Sequence, residues 1–556
     1  MDAKEPEVLL IMETKVMNKI IKSTGIILIT IIMISCHEDL NQFPIDPDSF
    51  TEENVFLNAQ EAKSALAKLY ASLAVTGQQG PAGQPDISDI DEGASQFTRV
   101  LFNLNELTTD HCVVGWGDPG LPDLHALSWS ASNDFTEAMY YRLAQQVSFC
   151  NSFISNAEAL LPNPDVENFI AEARFLRAYA YYNLIDLYGH VPLSTIVTTE
   201  LPVQSNRTEL FDFVEKELLE IQNHLPPSGT NEYGRVDQVA TWALLSRLYL
   251  NAEEWIGTTK YTESLNFSNQ VINSTYLINT SDGNGSGSAY DELFLADNDR
   301  NGAQDEFIFV VNFDGLQSQT FGGTTFLVHG ALGGNMDPAL YGVNGGWGGY
   351  RSTGALVSKF DESITATDDE GYPVSWADNR AMFHTDGQSY EINAIANAFG
   401  DGYAVTKFKN VDINGNQGKD TGGDYVDTDL PLIRLAEIYL NYAEAVLRGG
   451  TGGDPITALG LINQLRERAF GNTNGNISNE DLSLDFILDE RSRELYWEGL
   501  RRTDLIRYDL FTSGDYLWPW KGNAKNGVPV ADSRKLFPLP NNIIIINPNL
   551  TQNPGY

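Results

Sequence analysis

The chain has 556 residues, with 35 lysines and arginines against 75 aspartates and glutamates, for a formal net charge of −40. That balance excludes nucleic acid, whose binding is driven by basic side chains displacing counterions, and adsorption to anionic lipid through a basic patch. Hydrophobic residues make up 42% and aromatics 11%, enough for a large core and too much for global disorder. The length fits three or four ordinary domains or one extended helical-repeat domain. The three cysteines, Cys36, Cys112 and Cys150, form neither a disulfide scaffold nor a zinc site.

The N-terminus reads as an address. Lys15, Lys19 and Lys22 precede a short apolar run, residues 25–34, followed by Ser35 and Cys36. A basic segment, a short apolar core and a small residue before the cut predict a signal peptide over residues 1–35. The run is too short to span a bilayer, which takes about 20 apolar residues. No later segment qualifies. Ile34-Ser35-Cys36 resembles a bacterial lipobox, in which the new N-terminal Cys is lipidated. The following His37-Glu38-Asp39 resembles the surface-export signal of Bacteroidetes lipoproteins. Several acyl chains on Cys36 anchor stably where one chain does not. Met17 is a more natural start than Met1. Cleavage removes four lysines and four acidic residues, so the charge stays at −40.

Residues 36–58, with Pro44 and Pro47, predict a tether behind the lipidated Cys. Residues 59–280 predict the first part of a helical scaffold. Asn58 is placed to cap a helix, with Glu61 three residues on, and Ala62, Leu66, Leu69 and Leu73 mark its face. Residues 76–95, rich in Gly, Pro and Asp, predict a loop. Further helices are predicted over 166–188, stopped by Gly189 and Pro192, over 207–224, closed by Pro226-Pro227, and over 237–252, capped by Asp237. Residues 281–430 predict a loop-rich irregular region, dense in Gly, Asn, Asp and aromatics, with short apolar runs at 306–313 and 326–328. The second part of the scaffold, 431–556, predicts a helix over 431–448 with Pro431 in its first turn. Helices over 455–470 and 484–508 and a tail follow. Small Ala alternates with Tyr and Leu on these faces, which favours close helix packing. The expected fold is mostly α: a tetratricopeptide-repeat-like scaffold of helical pairs carrying loops on which binding sits.

Motifs for catalysis are missing from the sequence. None of the seven histidines lies in HExxH, and there is no GxSxG elbow. Residues 415–419 are too short for a phosphate loop. A glycosidase needs only two carboxylates, and no pair stands out among 75 acidic residues. Residues 297–302 (DNDRNG) open like a calcium loop, but the twelfth position is Ile308, so this is no EF-hand. Asp427-Thr428-Asp429 offers further oxygens. On the residues alone, a calcium site and two solvated acidic turns are equal alternatives. Trp116 and Trp347 each sit among glycines. Such tryptophans either stack on sugar C–H faces or plug gaps in a core. Trp242, Trp255 and Trp497 lie in helical patterns and are assigned to packing.

Residues 171–193, 234–252, 431–445, 488–507 and 537–556 resemble the SusD/RagB lipoproteins, in order and across nearly the whole mature chain. The resemblance implies a tetratricopeptide-repeat scaffold, attachment to the outer membrane, glycan capture without catalysis, and partnership with a SusC-like TonB-dependent transporter. Residues 76–116, 293–299, 321–328 and 517–527 are similar to a starch-binding member of the family, whose aromatic arc follows the curve of an α-glucan. Carried over by position, Trp116 and Trp347 match arc tryptophans, and Asp91 and Arg99 match polar contacts. Phe321 stands where the arc has a Tyr, Val114 replaces another arc aromatic, and Asp118-Pro119 occupies the place of a polar partner. Asp299, Asp427 and Asp429 match acidic positions that hold structural calcium (Ca2+).

The expected function is capture of a starch-like α-glucan at the cell surface and its delivery to the transporter. The alternatives are the same scaffold binding laminarin, levan, a host glycan or peptides; a hydrolase; and a transporter lid with no affinity of its own. The acidic charge favours a neutral or cationic ligand over a polyanion.

Overall fold

The structure is a computed structural model that describes Met17 and residues 56–556 other than 82, 89 and 396–398. The predicted signal peptide apart from Met17, the lipobox Cys36 and the tether up to residue 55 lie outside the described residues.

Side-chain caps set where the helices begin. Asn58 accepts from the Gln60 and Glu61 amides and starts α1 (Ala59–Ala74), whose Ala62, Leu66, Leu69 and Leu73 are buried as predicted. Gln96 caps α2 (Phe97–Asn105), Asn133 caps α3 (Asp134–Ala157) and Asn163 caps α4 (Pro164–Leu187). Asn206 and Glu209 form a reciprocal capping box at α5 (Arg207–Ile221), and Asp237 caps α6 (Gln238–Leu250). α7 is Tyr261–Ile272. Neighbours pack in pairs, α3 on α4, α4 on α5 and α6 on α7, with α1 laid against α4.

Two of these helices escape a search for apolar periodicity for a physical reason. The inward face of α3 carries Arg142, Gln146 and Asn151, all buried, and α2 buries Thr98, Asn103 and Asn105. Polar residues on a core face erase the 3.6-residue signal.

Residues 281–430 are irregular, as predicted, but not without order. Every sheet among the described residues has two strands. β1 (Cys112–Val114) and β2 (Phe307–Val311) precede α8 (Gly323–Gly330), which contains the apolar run at 326–328. β3 (Tyr350–Ser352) pairs antiparallel with β1, and β4 (Leu430–Arg434) with β2. Pro431 therefore does not open a helix. Residues 430–434 are all buried against an equally buried β2, and the ladder's register shift between Pro431 and Ile433 accommodates the missing N–H. The helix starts later, as α9 (Leu435–Leu447), and is followed by α10 (Pro455–Phe470).

The helix expected over 484–508 is two, α11 (Leu484–Leu495) and α12 (Arg501–Arg507). Trp497 and Gly499 take positive φ between them. The buried Glu106 carboxylate accepts from the Gly499 and Leu500 amides at 2.8 and 3.1 Å and so restarts the chain as a new helix. Trp497 and Trp255 are buried and Trp242 is half-buried, in keeping with packing roles. Cys112 and Cys150 are separate buried thiols.

A buried ion network fastens the irregular region to the scaffold. Arg380 pairs with Asp378 at 2.7 Å, Glu490 at 2.8 Å and Glu494 at 3.0 Å. Arg434 joins Glu494, Glu306 and Glu498, and Arg468 joins Glu306 and Glu494. Lys407 reaches Glu498 at 2.7 Å. Burial alone would raise the Glu490 and Glu494 carboxyls. The surrounding arginines outweigh it and hold both well below the usual carboxylate range. Breaking such a buried set leaves uncompensated charge, at a cost of about 3–5 kcal/mol. Glu494→Gln is expected to lower unfolding stability in urea by that amount; a loss under about 1 kcal/mol would contradict the reading.

Candidate glycan site

The two glycine-flanked tryptophans meet because they leave the same end of one ladder. Val114 of β1 lies opposite Tyr350 of β3. Trp116 follows Val114 by two residues and Trp347 precedes Tyr350 by three. The Gly115 amide donates to the Gly349 carbonyl at 2.9 Å, continuing the ladder into both loops. The Trp116 indole N–H donates to the Trp347 carbonyl at 3.0 Å, and the two rings lie 6.3 Å apart.

The glycines have a steric role. The 345–349 loop lies on the end of α8, with amides of Trp347, Gly348 and Gly349 donating to carbonyls of His329, Leu332 and Gly330. A Cβ on Gly346 would sit 2.2 Å from the Leu332 carbonyl oxygen, and one on Gly349 would sit 2.3 Å from the Trp116 ring. The loop reaches this depth only without those side chains.

His329 stacks on one face of Trp347 at 4.9 Å and 17°, with Nδ1 2.7 Å from the Gly345 carbonyl oxygen. Burial lowers its pKa, so the imidazole is neutral at pH 7. Trp347 is half-buried, and what remains exposed of it faces an open groove. Phe321 lies 6.4 Å from Trp347, and Tyr425 lies 5.6 Å from Phe321. Phe321 and Trp347 line an open groove of about 600 Å³ together with Asp91 and Arg99.

The polar residues have structural duties as well. Arg99 Nη1 donates to the Gly93 carbonyl at 3.0 Å and the Phe321 carbonyl at 3.1 Å, tying the 91–95 turn to the Phe321 loop. Its guanidinium lies 5.9 Å from the Trp116 ring. Burial lowers the Arg99 pKa, and Tyr350, Asp91 and Asp118 oppose the shift. Asp91 Oδ1 accepts from the Ala94 amide at 2.6 Å. Asp118 is exposed on the far side of Arg99, in an adjoining cavity.

Five of the six residues expected from the sequence thus form one cluster, and Asp118 flanks it. Trp116 sits behind Trp347, against Tyr350 at 5.2 Å, and acts partly as its support. Val114 is 1% exposed within the ladder, so position 114 faces the interior and offers no platform. Sequence reasoning misses His329 and Tyr425. Tyr425 follows Gly422-Gly423-Asp424, so the test that singles out the two tryptophans would have flagged it.

The three acidic residues expected to hold calcium do not converge. Asp299 and Asp429 line a separate cavity of about 550 Å³. Asp429 accepts from the Phe313 amide at 2.6 Å and the Tyr233 hydroxyl at 2.9 Å. Its carboxyl is pushed up to about 7, chiefly by burial, with the Asp299 charge adding to the rise. The Asp427 oxygens instead accept from the Gly315 amide at 2.7 Å and the Lys419 amide at 2.6 Å, which turns Asp427 into a loop anchor. Among the described residues, no group of three or more His, Cys, Asp or Glu side chains gathers to hold a metal ion.

Comparison with known proteins gives this arrangement a family. A model described as the SusD family matches residues 305–556, and one described as "Starch-binding associating with outer membrane" matches residues 57–250. The starch-binding protein SusD of Bacteroides thetaiotaomicron is 36% identical over 98% of this chain and the whole of its own length. SusD-like protein P25 of Formosa agariphila is 23% identical over 94% of this chain and 97% of its own. A solved SusD superfamily protein from Bacteroides thetaiotaomicron has the same fold, with a TM-score of 0.67 at 21% identity over 90% of this chain and all of the other. Surface glycan-binding protein A from Bacteroides fluxus gives 0.64 at 20% identity over 89% of this chain and 99% of its own.

The chain belongs to the SusD family. It is a glycan-binding protein and not an enzyme, since proteins of this family bind carbohydrate without transforming it. The family is associated with the outer membrane. No helix among the described residues is long and apolar enough to cross a membrane.

Gly346→Ala tests the geometry without touching a platform. The added Cβ must displace the loop that presents Trp347. Loss of one stacked ring, ~1 kcal/mol, corresponds to about fivefold weaker glycan binding. Unchanged affinity in a titration of the folded variant would contradict the steric role.

Proposed function

We propose that the protein captures starch-like α-glucan at the cell surface and passes oligosaccharides to a SusC-like TonB-dependent transporter. The observation that carries the reading is the convergence of Trp347 and Phe321 beside Arg99 and Asp91 in one open groove, with Trp116 supporting Trp347 from behind. Sugar rings stack on the exposed part of Trp347 and on Phe321, and the carboxylate and guanidinium meet their hydroxyls. Each stacked ring contributes ~1 kcal/mol. Affinity is therefore weak per site and rises on a polymer that offers many sites. Similarity to a starch-binding protein supports the α-glucan. The lipobox supports a lipid anchor at Cys36, and the family resemblance supports the transporter.

Affinity electrophoresis of residues 37–556 in gels of amylopectin, pullulan, laminarin and levan tests the substrate. Retardation by amylopectin or pullulan, abolished by Trp347→Ala, is expected. Retardation by laminarin or levan alone would replace the substrate and keep the scaffold. Val114 favours this second reading, because its buried position leaves the arc one platform short.

Were calcium to bind, Asp299 and Asp429 in the cavity of about 550 Å³ are the two carboxylates left to hold it, with Asp427 positioning the loop. Without it, the folded chain holds a proton on Asp429 that the unfolded chain releases in the ordinary carboxylate range. This group's contribution therefore falls as pH rises through about 7 and recovers on acidification. Calcium at pH 8 is expected to raise the melting temperature of the wild type and not of Asp429→Asn. An equal rise in both would exclude this site.

A further inference from the structure

The aromatic groove does not end at Arg99. Beyond that guanidinium lies a second cavity of about 680 Å³, and Ile90, Asp91 and Arg99 line both spaces, so the two meet there. Its far wall comes from the first turns of α3, with Asp134, Glu137 and Tyr141, and from Asn542 near the C-terminus. Asp118 closes one side.

Tyr141 is half-buried in this cavity. Its hydroxyl donates to Glu137 Oε1 at 3.0 Å, and Asn542 lines the same cavity. The ring meets Tyr140 edge-on at 6.2 Å, and no other aromatic stacks on it among the described residues. An aromatic held at its polar tip, with a ring free of stacking partners and carboxylates around it, has the makeup of a sugar subsite. The cavity that Tyr141 lines mixes the carboxylates of Asp91, Asp118, Asp134 and Glu137 with apolar Ile87, Ile90 and Phe135, the combination of hydroxyl partners and apolar surface that a sugar ring needs.

We propose that Tyr141 is a second stacking platform, and that one neutral glycan chain runs from Trp347 across Arg99 to Tyr141. This rests on the reading of Trp347 and Phe321 as glycan platforms. Asp118, Asp134 and Glu137 accept hydrogen bonds from sugar hydroxyls. The same carboxylates repel uronate or sulfate groups, so the subsite selects neutral sugars as well as chain length.

The test is calorimetric titration of the wild type, Tyr141→Ala, Tyr141→Leu and Trp347→Ala with maltotriose and maltoheptaose, or with the trimer and heptamer of laminarin if that polymer retards the wild type. Tyr141→Leu keeps apolar volume and guards against a folding defect in the alanine variant. Both Tyr141 variants are expected to bind the heptamer about fivefold more weakly and the trimer as the wild type does. Trp347→Ala is expected to bind both ligands about fivefold more weakly or worse. If Trp347→Ala weakens both and the Tyr141 variants bind the heptamer like wild type, the second platform is refuted and the first stands. If Trp347→Ala also binds both normally, the groove reading falls and takes this proposal with it.

Discussion

Loops can present a binding site only if something rigid holds their feet. In this protein the holding is done by charge. Arg380 and Lys407 come from the irregular region, and Glu490, Glu494 and Glu498 come from α11 and the turn after it. Arg434 and Arg468 extend the same network into β4 and α10. Desolvating these groups is costly, and it is tolerated because each guanidinium meets several carboxylates. The pairing is directional, so it also fixes where the irregular region sits. A purely apolar contact would permit sliding.

The network has a consequence for the surface. Many of the chain's arginines are buried in ion pairs, including Arg380, Arg434, Arg501 and Arg502 among the largest fully buried side chains. The exterior is correspondingly short of cations in a chain of net charge −40. Such a surface repels acidic polysaccharide at long range and leaves neutral glycans unaffected. The aromatic groove then acts at short range, where stacking does not depend on charge.

Much of the scaffold is legible in the sequence, because its signals are local. Asn58, Asn206, Asp237 and Asp454 cap the helices that follow them. What escapes is non-local. Pro431 has the form of a helix start, and only its pairing with a strand more than a hundred residues earlier makes it part of β4. Near residue 497 only Gly499 hints locally at a break, and the restart of the helix depends on the distant Glu106. The site divides the same way. Trp116 and Trp347 are visible as aromatics among glycines, yet their meeting depends on a three-residue ladder between distant segments. His329 and Tyr141 carry no local mark at all, since a histidine or tyrosine in a helix usually packs. Asp427 shows the opposite error: a carboxylate in a promising motif whose oxygens two backbone amides already hold.

The central claim is that the cluster at the head of the β1–β3 ladder is where glycan binds. A crystal structure of the protein soaked with maltoheptaose tests it most directly. The account predicts sugar rings on the exposed part of Trp347, over Phe321, with hydroxyls toward Arg99 and Asp91. Sugar bound elsewhere, with this groove empty, would contradict it.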